Sequence, residues 1–338
     1  MKRLTVILIP LFFAACALID DDLSVCGEEL VITYQVELHT ELSLQLQAEL
    51  TTEVEVPVRN ALGQWLSPIF SDKAKDIDLR FYSWGTDELR YSVSEIINAN
   101  QKSYTIVLPQ ENYMHLAVAN IDDNHGMYLR GDDHSATAQV RVNEGAEIPS
   151  LNTGVFTARL PMQVSDSVRR FDVHLYMATA VVALVIDTTY CDELVSIRGK
   201  MNGGACGLSV YDSIFDHTSS RSFGLEEVQV KVPSAAPVRK GIQEGDTVID
   251  ARYACYATVG MPTRDDIPWT LDFVSTLTEN RHTNTTLTIK DALEAGTLRI
   301  IKLKMGPKGE LEPDEGSSEV GATVTLDWKD GGSHDVEL

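Results

Sequence analysis

Residues 30–50 read LVITYQVELHTELSLQLQAEL, and their alternation decides the fold class. Leu30, Ile32, Tyr34, Val36 and Leu38 alternate with Val31, Thr33, Gln35, Glu37 and His39. After a break at His39 and Thr40, Leu42, Leu44, Leu46, Ala48 and Leu50 alternate with polar partners. A period of two puts one set on a buried face and the other in water, whereas a helix would scatter these leucines around its circumference. Working outward, the same reading predicts strands at 77–84, 104–108, 114–119 and 136–142, then at 171–177, 228–232, 252–259, 269–274, 283–289 and 298–305. The run AVVALVI at 180–186 is too short to cross a bilayer and suits a strand buried on both faces. A last alternation, Val320 to Trp328, is followed by a Lys329-Asp330-Gly331-Gly332 turn from which Val336-Glu337-Leu338 can return as a hairpin. Short helical pieces are predicted only at 93–99 and 291–295.

Many short strands at this spacing imply an all-β chain built from β-sandwiches. A length of 338 residues is long for one core, so two domains in tandem are expected. The segment 145–167, with Pro149, Gly154 and Pro161, interrupts the strand pattern and places the boundary near residue 165. Residues 30–165 then form an N-terminal sandwich and 166–338 a C-terminal one.

The first residues read differently. Met1-Lys2-Arg3 is a basic start, LTVILIPLFF at 4–13 is apolar, and Ala14-Ala15-Cys16 follows. This is the layout of a secretory signal peptide whose apolar stretch is too brief to anchor a helix in a bilayer. Cys16 directly after two small residues makes it similar to a bacterial lipobox, with Phe13 where Leu is usual. Cleavage between Ala15 and Cys16 would leave residues 1–15 as signal peptide and Cys16 as the acylated first residue of an acidic linker, 16–29. Each buried methylene contributes about 0.8 kcal/mol, so two or more acyl chains hold a protein to a membrane stably. Ala17 follows the cysteine, not the Asp of inner-membrane retention, and Asp20-Asp21-Asp22 resembles the surface-export cluster of Bacteroidota lipoproteins.

Charge narrows the partners. The chain carries 28 Lys+Arg against 50 Asp+Glu, a formal charge of -22. Such a surface repels phosphate backbones and anionic headgroups, so neither nucleic-acid binding nor electrostatic membrane attachment is expected. Between Cys16 and Arg59 there is no Lys or Arg, while ten acidic residues stand there (Asp20, Asp21, Asp22, Glu28, Glu29, Glu37, Glu41, Glu49, Glu53 and Glu55). A Lys- or Arg-directed protease therefore cannot separate the body from Cys16 before Arg59.

Signals for chemistry are weak. There is no GxSxG, HExxH, Walker loop or CxxC, and no cofactor is expected. Histidines are scattered, and His115 and His174, opposite the apolar residues of their strands, are expected at exposed or rim positions. Asn120, Asp122 and Asn124 supply oxygens at alternate positions, as a calcium loop would, but Gly126 comes one place late and Gly131 stands where a bidentate Glu belongs. An acidic turn is the simpler reading, and no metal is assigned. Arg130-Gly131-Asp132 spells RGD, a tripeptide short enough to recur by chance. Once Cys16 is acylated, Cys26, Cys191, Cys206 and Cys255 remain; an exported chain permits disulfides, with Cys191–Cys206 the first choice on sequence proximity and buried thiols the alternative.

Taken in order and spacing, CALIDDDLSVC at 16–26, ELVITYQVEL at 29–38, YMHLAVANIDDN at 113–124, TGVFTARLPMQV at 153–164, VHLYMATAVVALVID at 173–187 and VTLDWKDGG at 324–332 resemble the FimB/Mfa-type fimbrial anchor lipoproteins of Bacteroidales. The resemblance implies two transthyretin-like β-sandwich domains, a place on the outer membrane at the base of a fimbrium, and a role in attaching the stalk and limiting its length without catalysis. It also implies contact with stalk subunits by strand addition. Two other readings share the lipid and the sandwiches: a surface glycan-binding lipoprotein of a nutrient-uptake system, which should cluster exposed tryptophans, and a minor or tip subunit of the fimbrium. Trp65, Trp84, Trp269 and Trp328 are far apart in sequence.

Overall fold

The computed structural model describes residues 29–38, 55–70, 74–96, 103–124, 126–145, 147–233, 241–244, 247–250, 252–314 and 322–325. Ala15, Cys16, Cys26, the alternation at 42–50 and the expected C-terminal hairpin lie outside the described residues.

The first half contains β1 (Glu29–Leu38), the helix α1 (Val56–Leu66), β2 (Asp76–Ser83), β3 (Leu89–Ile96), β4 (Ser103–Pro109), β5 (Asn112–Ala119), β6 (Met127–Arg130), β7 (Gln139–Val142), β8 (Phe156–Gln163) and β9 (Arg170–Met177). Seven of these strands form one sheet in the order β3-β2-β5-β8-β9-β1-β4. Strands β8 and β9 pair only at Phe156↔Met177 and Thr157↔Tyr176. Beyond that corner the sheet folds over, so that β9-β1-β4 lies across β3-β2-β5-β8. Tyr34 of β1 accordingly meets Phe81 of β2 and His115 of β5 edge-on, with centroids 6.3 and 5.2 Å apart. The predicted alternation is the packing pattern: Leu30, Ile32 and Tyr34 are buried and stand opposite Leu108, Ile106 and Tyr104 of β4, also buried.

The second half contains β10 (Ala180–Asp187), β11 (Leu194–Gly204), β12 (Gly207–Ser209), β13 (Ile214–Asp216), β14 (Arg221–Gly224), β15 (Glu226–Val228), β16 (Lys231–Pro233), β17 (Gly241–Glu244), β18 (Thr247–Asp250), β19 (Tyr253–Gly260), β20 (Trp269–Leu277), β21 (His282–Ile289), β22 (Thr297–Met305), β23 (Leu311–Pro313) and β24 (Ala322–Thr325). One sheet runs β15-β19-β10-β22-β23, with β24 also on β22; the other runs β14-β11-β20-β21. They pack face to face so closely that a Cβ on Gly260 of β19 would come within 2.9 Å of Met201 of β11 and Phe223 of β14. Strand β10 lies between β19 and β22, and every residue from Ala180 to Ile186 is buried, as the unbroken apolar run predicts. The chain is thus all-β, with tandem sandwiches.

Four readings need correction. The pieces expected to be helical are not: residues 93–96 belong to β3, and around 291–295 the chain is strapped to Thr263, whose N–H donates to Leu293 O and whose hydroxyl accepts from Leu293 N. The helix is instead at Val56–Leu66, where Pro57 sits in the first turn and Val58, Ala61, Leu62 and Leu66 form one buried stripe. It packs beside β15, β16 and β19 of the second half. The boundary expected at residue 165 moves as well. Strand β9 pairs in parallel with β1, so the first sheet continues through Met177 and the second begins at Ala180.

The segment 145–167 does not interrupt the strands either, since it contains β8. Ile148 N donates to Ser222 O, Gly224 N to Ile148 O, and Leu151 N to Val259 O. The halves also share a sheet of order β13-β12-β7-β6, in which Val140 stands opposite Leu208. Arg141 of β7 pairs with Asp216 of β13 across this junction. The Asp216 carboxyl is held well below the usual carboxylate range by the N–H and hydroxyl of Thr218 and then by Arg141. Backbone hydrogen bonding of this kind locks two cores into one body.

Candidate functional site

The first described strand after the acidic leader is β1, and its seating is the site with the clearest geometry. It is hydrogen-bonded on both sides, antiparallel to β4 from Glu29↔Pro109 to Gln35↔Ser103 and parallel to β9 from Thr33↔Arg170 to Leu38↔Leu175. At its centre the Tyr34 hydroxyl lies 2.6 Å from His115 Nε2. The other ring nitrogen, Nδ1, is 2.9 Å from the Arg80 carbonyl. A carbonyl only accepts, so Nδ1 carries the proton and Nε2 accepts from Tyr34. The imidazole stacks on Phe81 with centroids 4.3 Å apart. Burial pushes the His115 pKa down to about 4, against a smaller upward pull from the Arg80 carbonyl. Burial likewise raises the Tyr34 phenol. Both groups are therefore neutral at pH 7, and their hydrogen bond pins β1 to β5 across the sandwich.

His115 is fully buried, which overturns its expected rim position. His174, in contrast, is exposed. The reason is that β5 is covered on both faces. Tyr113 and His115 face the rings of Phe81 and Tyr34, while the neighbouring Met114, also buried, lies near Ser135, Ala136 and Tyr211. Period-two reading assigns the polar-looking set to water only when one face is uncovered.

The proposed calcium-loop residues are structural. Asn120 takes a left-handed φ of 66°, accepts from Lys75 N at 2.8 Å and donates to Gly154 O at 2.8 Å. Asn124 accepts from Asn152 N and Thr153 N and donates to Asn120 O and Thr153 O. Buried Asp76 accepts from the N–H groups of Ile121, Asp122 and Asp123 at 2.8, 3.2 and 3.1 Å. Burial raises the Asp76 pKa although those three bonds favour its charged form. The side chain of Asp122 itself is exposed. Among the described residues no three His, Cys, Asp or Glu side chains gather as a metal would require.

The RGD tripeptide closes β6 in a tight turn, with Gly131 at φ 67°. Its carboxylate is occupied: Asp132 Oδ2 is 2.5 Å from Arg80 Nη1, and its carbonyl accepts from the Tyr82 hydroxyl at 2.9 Å. The Cys191–Cys206 bridge is not made. Cys206 is a buried free thiol that donates to Asp216 O at 3.2 Å, while Cys191 sits in the turn between β10 and β11. Cys255 is buried in β19. Of the tryptophans, Trp269 is core and donates to Asp291 O, Trp65 packs partly against the core, and Trp84 is 57% exposed. Trp328 lies outside the described residues.

A two-domain body of β-sandwiches sharing a sheet across their junction is the class that this geometry defines. No family model and no curated protein matches the sequence. Solved structures do. The chain is similar to a candidate adhesin from Bacteroides thetaiotaomicron, with 10% identity over 89% of this chain and 98% of that one, TM-score 0.53. It is similar to candidate polysaccharide-binding proteins from the same species, with 9% identity over 86% and 99%, TM-score 0.52. The fimbrial anchor protein Mfa2 from Porphyromonas gingivalis also matches, with 13% identity over 81% and 90%, TM-score 0.45. At such identities a likeness extends to the fold, and the two scores above 0.5 give this chain the fold of those Bacteroides proteins.

Proposed function

We propose that the protein is a lipoprotein of the outer membrane, attached through acyl chains on Cys16, that holds the base of a fimbrium at the cell surface and limits its length without catalysis. The observation that carries this reading is the seating of β1. A pull on the leader reaches the body through a strand paired on both flanks and pinned by the Tyr34–His115 bond. Such a strand can bear load, and it is not available for exchange. Stalk subunits would then engage the body by strand addition at another edge. The absence of Lys and Arg between Cys16 and Arg59 supports the same role, since Arg59 itself lies inside α1, where helical backbone resists cleavage.

Three measurements test the reading. Cys16→Ala should release the body from the membrane; retention sinks the lipid anchor. Deleting the gene should give shed or overlong fimbriae, whereas unchanged fimbriae refute the anchoring role. A trypsin-like protease should leave β1 attached; soluble body released by a cut before Arg59 would contradict the load path.

A further inference from the structure

Trp84 follows β2, and its N–H donates to Asn112 O at 2.9 Å, so the backbone beneath it is fixed to β5. Its indole stands between two clefts. One, of about 430 Å³, opens where β8 and β9 part beyond their short pairing. The other, of about 350 Å³, is bounded by Asp87, Ser135, Ala136 and Tyr211. The floor of the larger cleft is apolar, from Leu160, Met162 and Phe171, all buried. Its rim is polar, from Asn112, Gln163, Arg170 and Asp172, all exposed. Arg170 is oriented on this rim, donating to Gln35 Oε1 at 2.8 Å with its Nε 3.5 Å from Asp172.

We propose that the Trp84 groove is a binding site for an uncharged oligosaccharide, lying across the indole with sugar residues in both clefts. The site does not depend on the anchoring role. An exposed indole offers a flat apolar face to the C–H side of a sugar ring, while donors and acceptors of both kinds around it suit hydroxyl groups. A polyanion is disfavoured by the chain's charge of -22 and by Asp172 and Asp87 at the site. An added peptide strand is disfavoured at β8. Val164 N donates to Glu111 O, so even-numbered residues of β8 face β5 and Pro161 faces the open side, where it lacks the N–H that a new strand needs. Openness on both sides of Trp84 favours the interior of a chain over its end.

The full-chain protein in detergent is titrated with maltohexaose, cellohexaose, chitohexaose and mannohexaose, with heparin as the anionic control, by intrinsic fluorescence and calorimetry. At least one neutral hexasaccharide should bind. Trp84→Ala should weaken that binding by about tenfold or more, as loss of one stacking platform does, with the thermal midpoint unchanged. Arg170→Ala should weaken it less, and Trp65→Phe not at all. Binding of none of the four sugars, binding indifferent to Trp84→Ala, or a preference for heparin overturns the proposal. Cells carrying Trp84→Ala should keep their fimbriae attached. Shedding of fimbriae by this variant would instead make the groove a protein interface and overturn the sugar site, while leaving the anchoring role standing.

Discussion

Strands β1 and β10 are each paired on both flanks, one in either half, and are held by different means. Strand β10 is Ala, Val, Leu and Ile throughout its buried length, with no polar side chain until Asp187. Beyond its backbone ladders to β19 and β22, its side chains hold it by packing alone. Strand β1 has one wet face, and on its buried face stands a phenol that must find a partner. The sheet around it is fixed by polar pins: Tyr34 on His115, Asp76 on three N–H groups, Asn124 on the 152–153 backbone. Apolar packing tolerates changes in pH and salt, whereas polar pins give a unique register that depends on protonation. The half that contains β1 is therefore the half with the more specific and more condition-sensitive core.

That contrast can be broken from either side. The largest effect is expected from Leu184→Ala in β10, a loss of about 3–5 kcal/mol, read from urea unfolding and independent of pH between 4 and 7. Next comes acid. Folded His115 takes up a proton only near pH 4, whereas in the unfolded chain it does so near the ordinary histidine value of 6.5. Between these values the unfolded state binds the proton and the folded state does not, so stability falls as pH drops through the window. The loss is about 3 kcal/mol by pH 4. In His115→Phe that dependence should vanish, leaving a flatter profile from a lower starting point, because Tyr34 loses its acceptor. An unchanged slope in this variant would remove His115 from the account.

Asp76→Ala should cost about 2–3 kcal/mol by leaving the N–H groups of residues 121–123 without an acceptor, with faster amide exchange confined to that loop. Tyr34→Phe should cost about 1 kcal/mol, and hydrogen exchange should show β1 loosened relative to β10. The smallest effect belongs to the junction, where Asp216→Asn should change stability by less than about 1 kcal/mol, since the Arg141 pair is partly open to solvent.

The alternations that predicted β2, β4, β5, β9 and β22, and the unbroken apolar run that predicted β10, were legible because both are local properties of side chains facing a core. Strand β8 was not, because Pro161 reads as a breaker; it is accommodated where its missing N–H faces an open edge. The helix α1 was masked by the β-branched Val56 and Val58 and by the strand-rich sequence around it, although Pro57 and the stripe of Val58, Ala61, Leu62 and Leu66 carried the signal. At the sites, Asn120 and Asn124 stand in a hydrogen-bonded turn, while His115 was misplaced and Cys206 is a buried thiol, the alternative to its first-choice bridge.

By itself the sequence determined the class of the body and its net acidity, since each follows from residue type and spacing along the chain. Only the tertiary structure decided that β1 lies between β4 and β9, that the two halves share a sheet, and that a second layer over β5 buries His115. Those outcomes depend on which distant segment supplies the partner, and a backbone N–H bonds equally well to any carbonyl that the packing brings to it.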